Sequence, residues 1–380
     1  MKRKITVTTG SRSEYGILRP VLKEISKSNH LKLYLIVTGM HQSKKFGLTI
    51  NEIKKDGFVK YDTVNMIPKG NSTFHMSQSL GLGVTQFSNI FKKIKPDLNL
   101  ILGDRTDALA SSLAASHMNI PNAHIHGGDK SKAGIDEYAR HAITKISNIH
   151  FAATKKSKLR IIKMGENPKF VFFTGSPSID EISSNKITTK SELEQKYNMK
   201  FSGKEILLLQ HPVTTQTDKS NSQIKIILNG LLKLKNPVIA ILPNSDAGHN
   251  EIFSYLTKFS KNNSFMSLFS SIPRSDYLGM LKNCGILIGN SSSGIIEASY
   301  FNTPVINLGI RQDGRETNSS VIHIKNPTPN LIYNQIQKSL HSKKIIRDKI
   351  YGTGNSSKKI VQILEKIKLD EKLIQKQIYY

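Results

Sequence analysis

Short apolar runs alternate with longer segments of helical period along almost the whole chain, and this alternation constrains the fold more than any other feature. In the first half the strand-like runs are Ile5–Thr9, Leu31–Thr38, Leu98–Leu102, Ala123–His126, His150–Ala153 and Phe170–Thr174. Helical patterns separate them at Glu14–Ser28, Ser72–Ile94, Ala108–Asn119, Glu137–Ser147 and Lys155–Gly165. The second half repeats the scheme. Strands are expected at Ile206–Gln210, Val238–Leu242, Phe265–Phe269, Ile286–Ile288 and Val305–Leu308, with helices at Ser220–Leu234, Asn250–Lys261, Asp276–Asn283 and Gly294–Tyr300. Strict alternation of β and α elements specifies parallel sheets covered by helices on both faces. Two such halves in 380 residues give an α/β chain of two doubly wound domains, 1–175 and 176–355. A turn-rich junction lies at Gly175–Asn185. An amphipathic helix at Ser356–Leu369 opens a last segment, 356–380, that packs back on the first domain. The polar tail after Asp370 is expected to fray.

Composition narrows the function. Hydrophobic residues make up 38% and charged residues 22%, which excludes wholesale disorder. No apolar run reaches the ~18 residues of a membrane span, and no apolar signal core follows the N-terminal Met-Lys-Arg-Lys. A cytoplasmic location without membrane association is therefore expected. Cys284 is the only cysteine, so an intramolecular disulfide is impossible. Fifty-five Lys and Arg against 28 Asp and Glu give a net charge of +27. These cations are spread through the chain, without a basic stripe or interleaved aromatics. That distribution argues against nucleic acid and fits an acidic small molecule.

In parallel sheets, ligands bind at the carboxyl ends of strands, so polar clusters directly after strands are the informative ones. Thr9-Gly10-Ser11-Arg12-Ser13-Glu14 follows the first strand and opens a helix, a geometry suited to an anion. Ser13 is the N-cap expected there. Neither G-x-G-x-x-G nor G-x-x-x-x-G-K-[ST] occurs, so no dinucleotide cofactor or P-loop is indicated. Gly103-Asp104-Arg105-Thr106-Asp107 puts a carboxylate at another strand end. His124-Ile125-His126-Gly127-Gly128-Asp129 places two imidazoles on one face of a strand, suited to proton transfer or hydroxyl binding. A zinc site would need a third ligand, which the sequence does not locate. Asp136 and Arg140 lie four apart, the spacing of a solvated helical ion pair. In the second half, Gln210-His211-Pro212, Pro243-Asn244-Ser245-Asp246-Ala247-Gly248 and Gly289-Asn290-Ser291-Ser292-Ser293-Gly294 each end a strand. The last offers hydroxyls and amides to a diphosphate. Glu297 is placed to accept from ribose hydroxyls, and Arg311 and Arg315 to contact phosphate. A phosphate cradle in one Rossmann-like half and acid–base groups in the other, facing each other across a cleft, is the layout of a nucleotide-sugar enzyme of GT-B architecture.

The chain resembles the hydrolysing UDP-N-acetylglucosamine 2-epimerases of sialic- and legionaminic-acid synthesis. The resemblance rests on Gly103-Asp104-Arg105, Arg140-His141-Ala142-Ile143-Thr144-Lys145, Gln210-His211-Pro212-Val213-Thr214-Thr215, Pro243–Gly248, Gly289–Gly294 and Pro304–Gly309. Gly314-Arg315-Glu316-Thr317 and Lys349-Ile350-Tyr351-Gly352 also match, so the likeness spans nearly the whole chain. It implies that Arg12, Arg105, His211, Asn244, Asp246, Ser291, Ser292, Glu297 and Arg311 bind the nucleotide diphosphate. It assigns acid–base or pocket roles to Asp104, His126, Asp129, Asp136, Glu137 and His41. The implied reaction is anti elimination of the nucleotide to a 2-acetamidoglucal, followed by hydration to a free N-acetylmannosamine-type sugar. Neither metal nor cofactor is implied, and a homo-oligomer is. Members of the sialic-acid type carry a glutamate where this chain has His126, and the loop Lys130–Gly134 is one residue longer. The substitution leaves two accounts of His126, acid–base group or wall of a reshaped sugar pocket. A non-hydrolysing 2-epimerase, a GT-B glycosyltransferase and a basic non-catalytic nucleic-acid-binding protein are the alternatives. Products formed from UDP-GlcNAc separate them.

Overall fold

The structure is a computed structural model of residues 1–380. It describes all of them except 1, 45–46, 68–69, 71, 133, 185–186, 214, 217–219, 244–245, 247 and 342–348. The chain forms two compact units, Met1–Asp129 with Asp136–Ser184 and Tyr351–Tyr380, and Lys130–Ile135 with Asn185–Ile350.

The first unit holds β1 (Arg3–Thr9), β2 (Leu31–Thr38), β3 (Tyr61–Val64), β4 (Leu98–Leu102), β5 (Asn122–Ile125), β6 (Ile149–Ala152) and β7 (Val171–Phe173). Their order is β3-β2-β1-β4-β5-β6-β7, and every pairing is parallel. All five residues of β4 are buried, as a strand covered on both faces requires. Its one polar member, Asn99, is fully partnered. It accepts from Thr6 Oγ1 at 3.1 Å and donates to Asn122 Oδ1 at 2.9 Å and Ser111 Oγ at 3.0 Å.

This unit runs past 175 to Ser184, because Pro177–Ser183 is a helix rather than a linker. Its Ile179 and Ile182 are buried, and Glu181 pairs with Arg19 at 3.0 Å. The chain returns at Tyr351. Helix Ser356–Lys366 places Ile360, Val361 and Leu364 in one core with Ile5, Val7 and Leu100. The tail, largely exposed, is anchored at intervals. Leu373 is buried in that same core, and Tyr379 N donates to Gly165 O at 3.0 Å.

The second unit holds β8 (Ile206–Leu209), β9 (Val238–Ile241), β10 (Met266–Phe269), β11 (Ile286–Gly289), β12 (Val305–Leu308) and β13 (Val321–Ile324). Their order is β10-β9-β8-β11-β12-β13, again parallel throughout. Its core gathers Ile206, Leu208, Ile286, Ile288 and Ile306 from the strands and Ile224, Ile227 and Ile332 from helices. Both sheets therefore carry the doubly wound order. Strands β3 and β13, absent from the sequence expectation, each form one edge of a sheet.

Candidate active site

In each sheet the connections leave in opposite directions from two neighbouring central strands. The crevice opened there, at their carboxyl ends, is where such sheets bind ligands. In the first unit the neighbours are β1 and β4. The turn after β1 is tight. A Cβ on Gly10 would meet the Asp107 carboxylate at 2.1 Å. Ser11, not Ser13, is the N-cap of helix Arg12–Lys27, accepting from Glu14 N. Glu14 folds back, accepting from Gly10 N at 3.2 Å and Ser11 Oγ at 3.1 Å. Arg105 Nε lies 3.5 Å from both the Glu14 and Asp107 carboxylates. Burial, and then the Asp107 charge, push the Glu14 carboxyl well above its usual range. Arg12 occupies the first helical position, half-buried. His41 is fully buried, its ring nitrogens 3.1 Å from Thr9 Oγ1 and 2.8 Å from Thr49 Oγ1. Burial and the nearby Arg105 hold it down at about 4, so the ring is neutral.

Two acid–base candidates, Asp104 and Glu137, converge on Arg140. Arg140, four residues from Asp136, makes a long-range contact that its spacing did not announce. Arg140 is 1% exposed and donates from Nε to Asp104 Oδ2 at 2.8 Å, with a second bond from Nη2 to the same oxygen. Its Nη1 reaches Glu137 Oε2 at 2.7 Å and the Asp129 carbonyl at 3.1 Å. His141 Nε2 lies 3.1 Å from the other Glu137 oxygen. Asp136 sits half-buried in the first turn of the same helix, Ile135–Ile146.

His124 and His126 do not act as a pair. His124 is the third residue of β5, and burial holds it at about 3. The neutral ring donates from Nε2 to the Gly103 carbonyl at 2.7 Å, next to Asp104. His126 lies beyond the strand end with φ 67°, so strand alternation no longer governs it. Its ring sits between Ser176 Oγ at 2.9 Å and Asp129 Oδ2 at 3.5 Å. Ser157 Oγ fixes the other Asp129 oxygen at 2.8 Å. Among the described residues, no group of three or more His, Cys, Asp or Glu is placed to hold a metal ion.

In the second unit the central neighbours are β8 and β11, and Asn290 organises their ends. Its side chain accepts from His211 N at 2.7 Å and donates to His211 O at 2.8 Å. Its carbonyl accepts from Arg311 Nη1 at 3.2 Å and Gln312 Nε2 at 2.9 Å. Gly289 precedes it at φ 128°, where a Cβ would lie 2.0 Å from Leu209 O. Only glycine allows the two strand ends to approach this closely. Ser291 caps the short helix Ser292–Ile296 by accepting from Ser293 N.

Glu297, expected to meet ribose, is 3% exposed and engaged by Arg274 through both carboxylate oxygens, and by Ser293 Oγ. The Asp246 carbonyl accepts from the backbone and the ring of His249. Asn244 lies outside the described residues. Sequence reasoning missed Glu14, Asn290, Gln312 and Arg274 as organisers. Glu14 and Asn290 stood inside motifs already singled out. Gln312 stood beside the singled-out Arg311, while Arg274 carried no local signal.

A family model described as UDP-N-acetylglucosamine 2-epimerase matches residues 23–365. Over 376 residues the chain is 36% identical to the UDP-N,N'-diacetylbacillosamine 2-epimerase (hydrolyzing) of Legionella pneumophila, covering 99% of each. It is 35% identical over 323 residues to the GDP/UDP-N,N'-diacetylbacillosamine 2-epimerase (hydrolyzing) of Campylobacter jejuni, covering 84% of each. The solved UDP-GlcNAc 2-epimerase of Neisseria meningitidis, bound to UDP-GlcNAc, superposes with a TM-score of 0.80 at 21% identity, over 96% of this chain and all of that one. That likeness shows the fold, while the family match and the full-length identity show kinship: the chain belongs to the UDP-N-acetylglucosamine 2-epimerase family.

Proposed function

We propose that this chain is a hydrolysing nucleotide-diphosphate-sugar 2-epimerase whose substrate is a UDP-linked 2,4-diacetamido-2,4,6-trideoxyhexose. The full-length identity to the Legionella enzyme supports that sugar over UDP-GlcNAc. The observation that carries the reaction is the Asp104–Arg140–Glu137 array at the carboxyl end of β4. It supplies what the chemistry demands, fixed carboxylates beside a fixed cation. A base takes the C2 proton, the C1–oxygen bond breaks, and the nucleotide diphosphate leaves as a C1=C2 double bond forms. Water then adds its hydroxyl to C1. A proton returns to C2 on the opposite face, leaving the free manno-configured sugar.

In this reading Asp104, Asp136 and Glu137 carry the proton transfers, and His126, fixed between Ser176 and Asp129, shapes the sugar pocket. Arg12 and Arg105 in the first unit, and His211, Asn244, Asp246, Ser291, Ser292 and Arg311 in the second, are the proposed nucleotide contacts. Glu297 acts at one remove, holding Arg274 and Ser293. Nucleotide and sugar products from UDP- and GDP-linked 2,4-diacetamido-2,4,6-trideoxyglucose and from UDP-GlcNAc test this. Free nucleotide diphosphate with a free C2-inverted sugar supports it. An epimerised sugar still attached to its nucleotide contradicts it.

A further inference from the structure

The C-terminal tail reaches the opposite end of the helix that carries Asp136, Glu137 and Arg140. Lys376 Nζ donates to the carbonyls of Lys145 at 2.6 Å and Ser147 at 2.7 Å, and lies 3.4 Å from that of Thr144. These carbonyls lie at and just beyond the C-terminal end of helix Ile135–Ile146, where a cation is favoured. Lys376 also pairs with Glu166 at 2.5 Å. Glu166 in turn binds Lys145 at 2.8 Å and His150 at 3.1 Å. Asn148 Nδ2 donates to the Leu373 carbonyl at 2.7 Å, fastening the tail where the helix ends.

The helix so held contacts the proposed site along two lines. Arg140 grips Asp104 directly. Thr144 Oγ1 lies 3.3 Å from His124 Nδ1, and His124 holds the carbonyl of Gly103, the residue before Asp104. A shift of this helix along its axis therefore displaces both supports of Asp104 together. Nothing else among the described contacts ties the helix end to so many carbonyls through one group.

We propose that Lys376 is a positioning residue for the proton-transfer site, fixing the axial placement of helix Ile135–Ile146 from the C-terminal tail. The proposal rests on the assignment of Asp104 and its helix partners to the reaction. Lys376 acts on Asp104 through Arg140 and through the Thr144–His124–Gly103 line.

The test compares wild type, Lys376→Met and Lys376→Arg in steady-state turnover of UDP-linked 2,4-diacetamido-2,4,6-trideoxyglucose, GDP-linked 2,4-diacetamido-2,4,6-trideoxyglucose and UDP-GlcNAc, with UDP affinity by calorimetry. Loss of a group that orients a reacting residue costs ~10–100-fold. The methionine variant should lose that much in kcat, with KM and UDP affinity near the wild-type values. The arginine variant, which keeps cation and donors, should recover most of the loss. An unchanged kcat in Lys376→Met, or a loss confined to KM, overturns the proposal while the enzyme assignment stands. Should the methionine variant fail to fold, Lys376→Gln is judged by the same split. A wild-type chain that turns over none of these sugars overturns the assignment and, with it, the clamp.

Discussion

Arg140 organises the residues proposed to carry the first unit's chemistry. Its buried guanidinium is satisfied by one carboxylate from the end of β4, one from its own helix and one carbonyl from the turn after β5. Asp104 was legible in the sequence because it directly follows an apolar strand run. Its tie to Arg140 was not, since the partners stand 36 residues apart and local spacing offered Asp136 instead. The tie of Glu297 to Arg274 hid for the same reason, the two standing 23 residues apart. Asp104→Asn preserves size and one acceptor but removes the charge and the proton-accepting oxygen. Turnover should fall ~10²–10⁴-fold with UDP affinity retained, as read by product release and calorimetry; near-normal turnover removes Asp104 from the mechanism. His126→Gln discriminates pocket from catalysis. The account expects a changed ranking among UDP-GlcNAc and the UDP- and GDP-linked 2,4-diacetamido-2,4,6-trideoxyglucoses. A ~10³-fold loss on every substrate would make His126 an acid–base group.

At the scale of elements, eleven strands were readable as apolar runs, nine of them central parallel strands buried between helices and two, β7 and β10, edge strands that carry Phe. Strands β3 and β13, at the opposite edges, were not. Tyr-Asp-Thr-Val and Val-Ile-His-Ile are short and only partly buried, so neither stands out as an apolar run. Helix Pro177–Ser183 was hidden by its turn-like Gly-Ser-Pro-Ser start, although Ser and Pro are also what a helix N-terminus uses. That helix also holds the returning chain. Asp180 accepts from Ser356 N at 2.9 Å and Ser357 N at 2.6 Å. It thus caps helix Ser356–Lys366, whose own N-cap residue makes no side-chain bond. Asp180→Ala should cost the typical ~0.5–2 kcal/mol of a lost cap, measured by urea unfolding. A stability within experimental error of wild type would show that the cap carries nothing.

The whole molecule couples these sites to pH. Burial holds His41 at about 4 and His124 at about 3, whereas an unfolded imidazole titrates near ~6.5. Between those values the unfolded state binds more protons, so stability falls as pH drops through ~6.5 and goes on falling toward the folded values. Glu14 acts in the opposite direction. Burial and the Asp107 charge raise it in the folded state, which keeps a proton the unfolded chain releases above 4.5. Its contribution is therefore lost as pH rises. Glu14→Gln should gain stability over wild type on the alkaline side in thermal unfolding. An equal response of both proteins across that range would contradict the buried, protonated Glu14. Above these local effects stands the claim that the chain breaks the bond between sugar and nucleotide as it inverts C2. The most direct measurement is proton NMR of the wild-type chain acting on UDP-linked 2,4-diacetamido-2,4,6-trideoxyglucose in deuterated water. The expected result is free UDP and a free manno-configured 2,4-diacetamido sugar bearing deuterium at C2. Deuterated sugar still bound to UDP, or free UDP with no change at C2, would contradict the account.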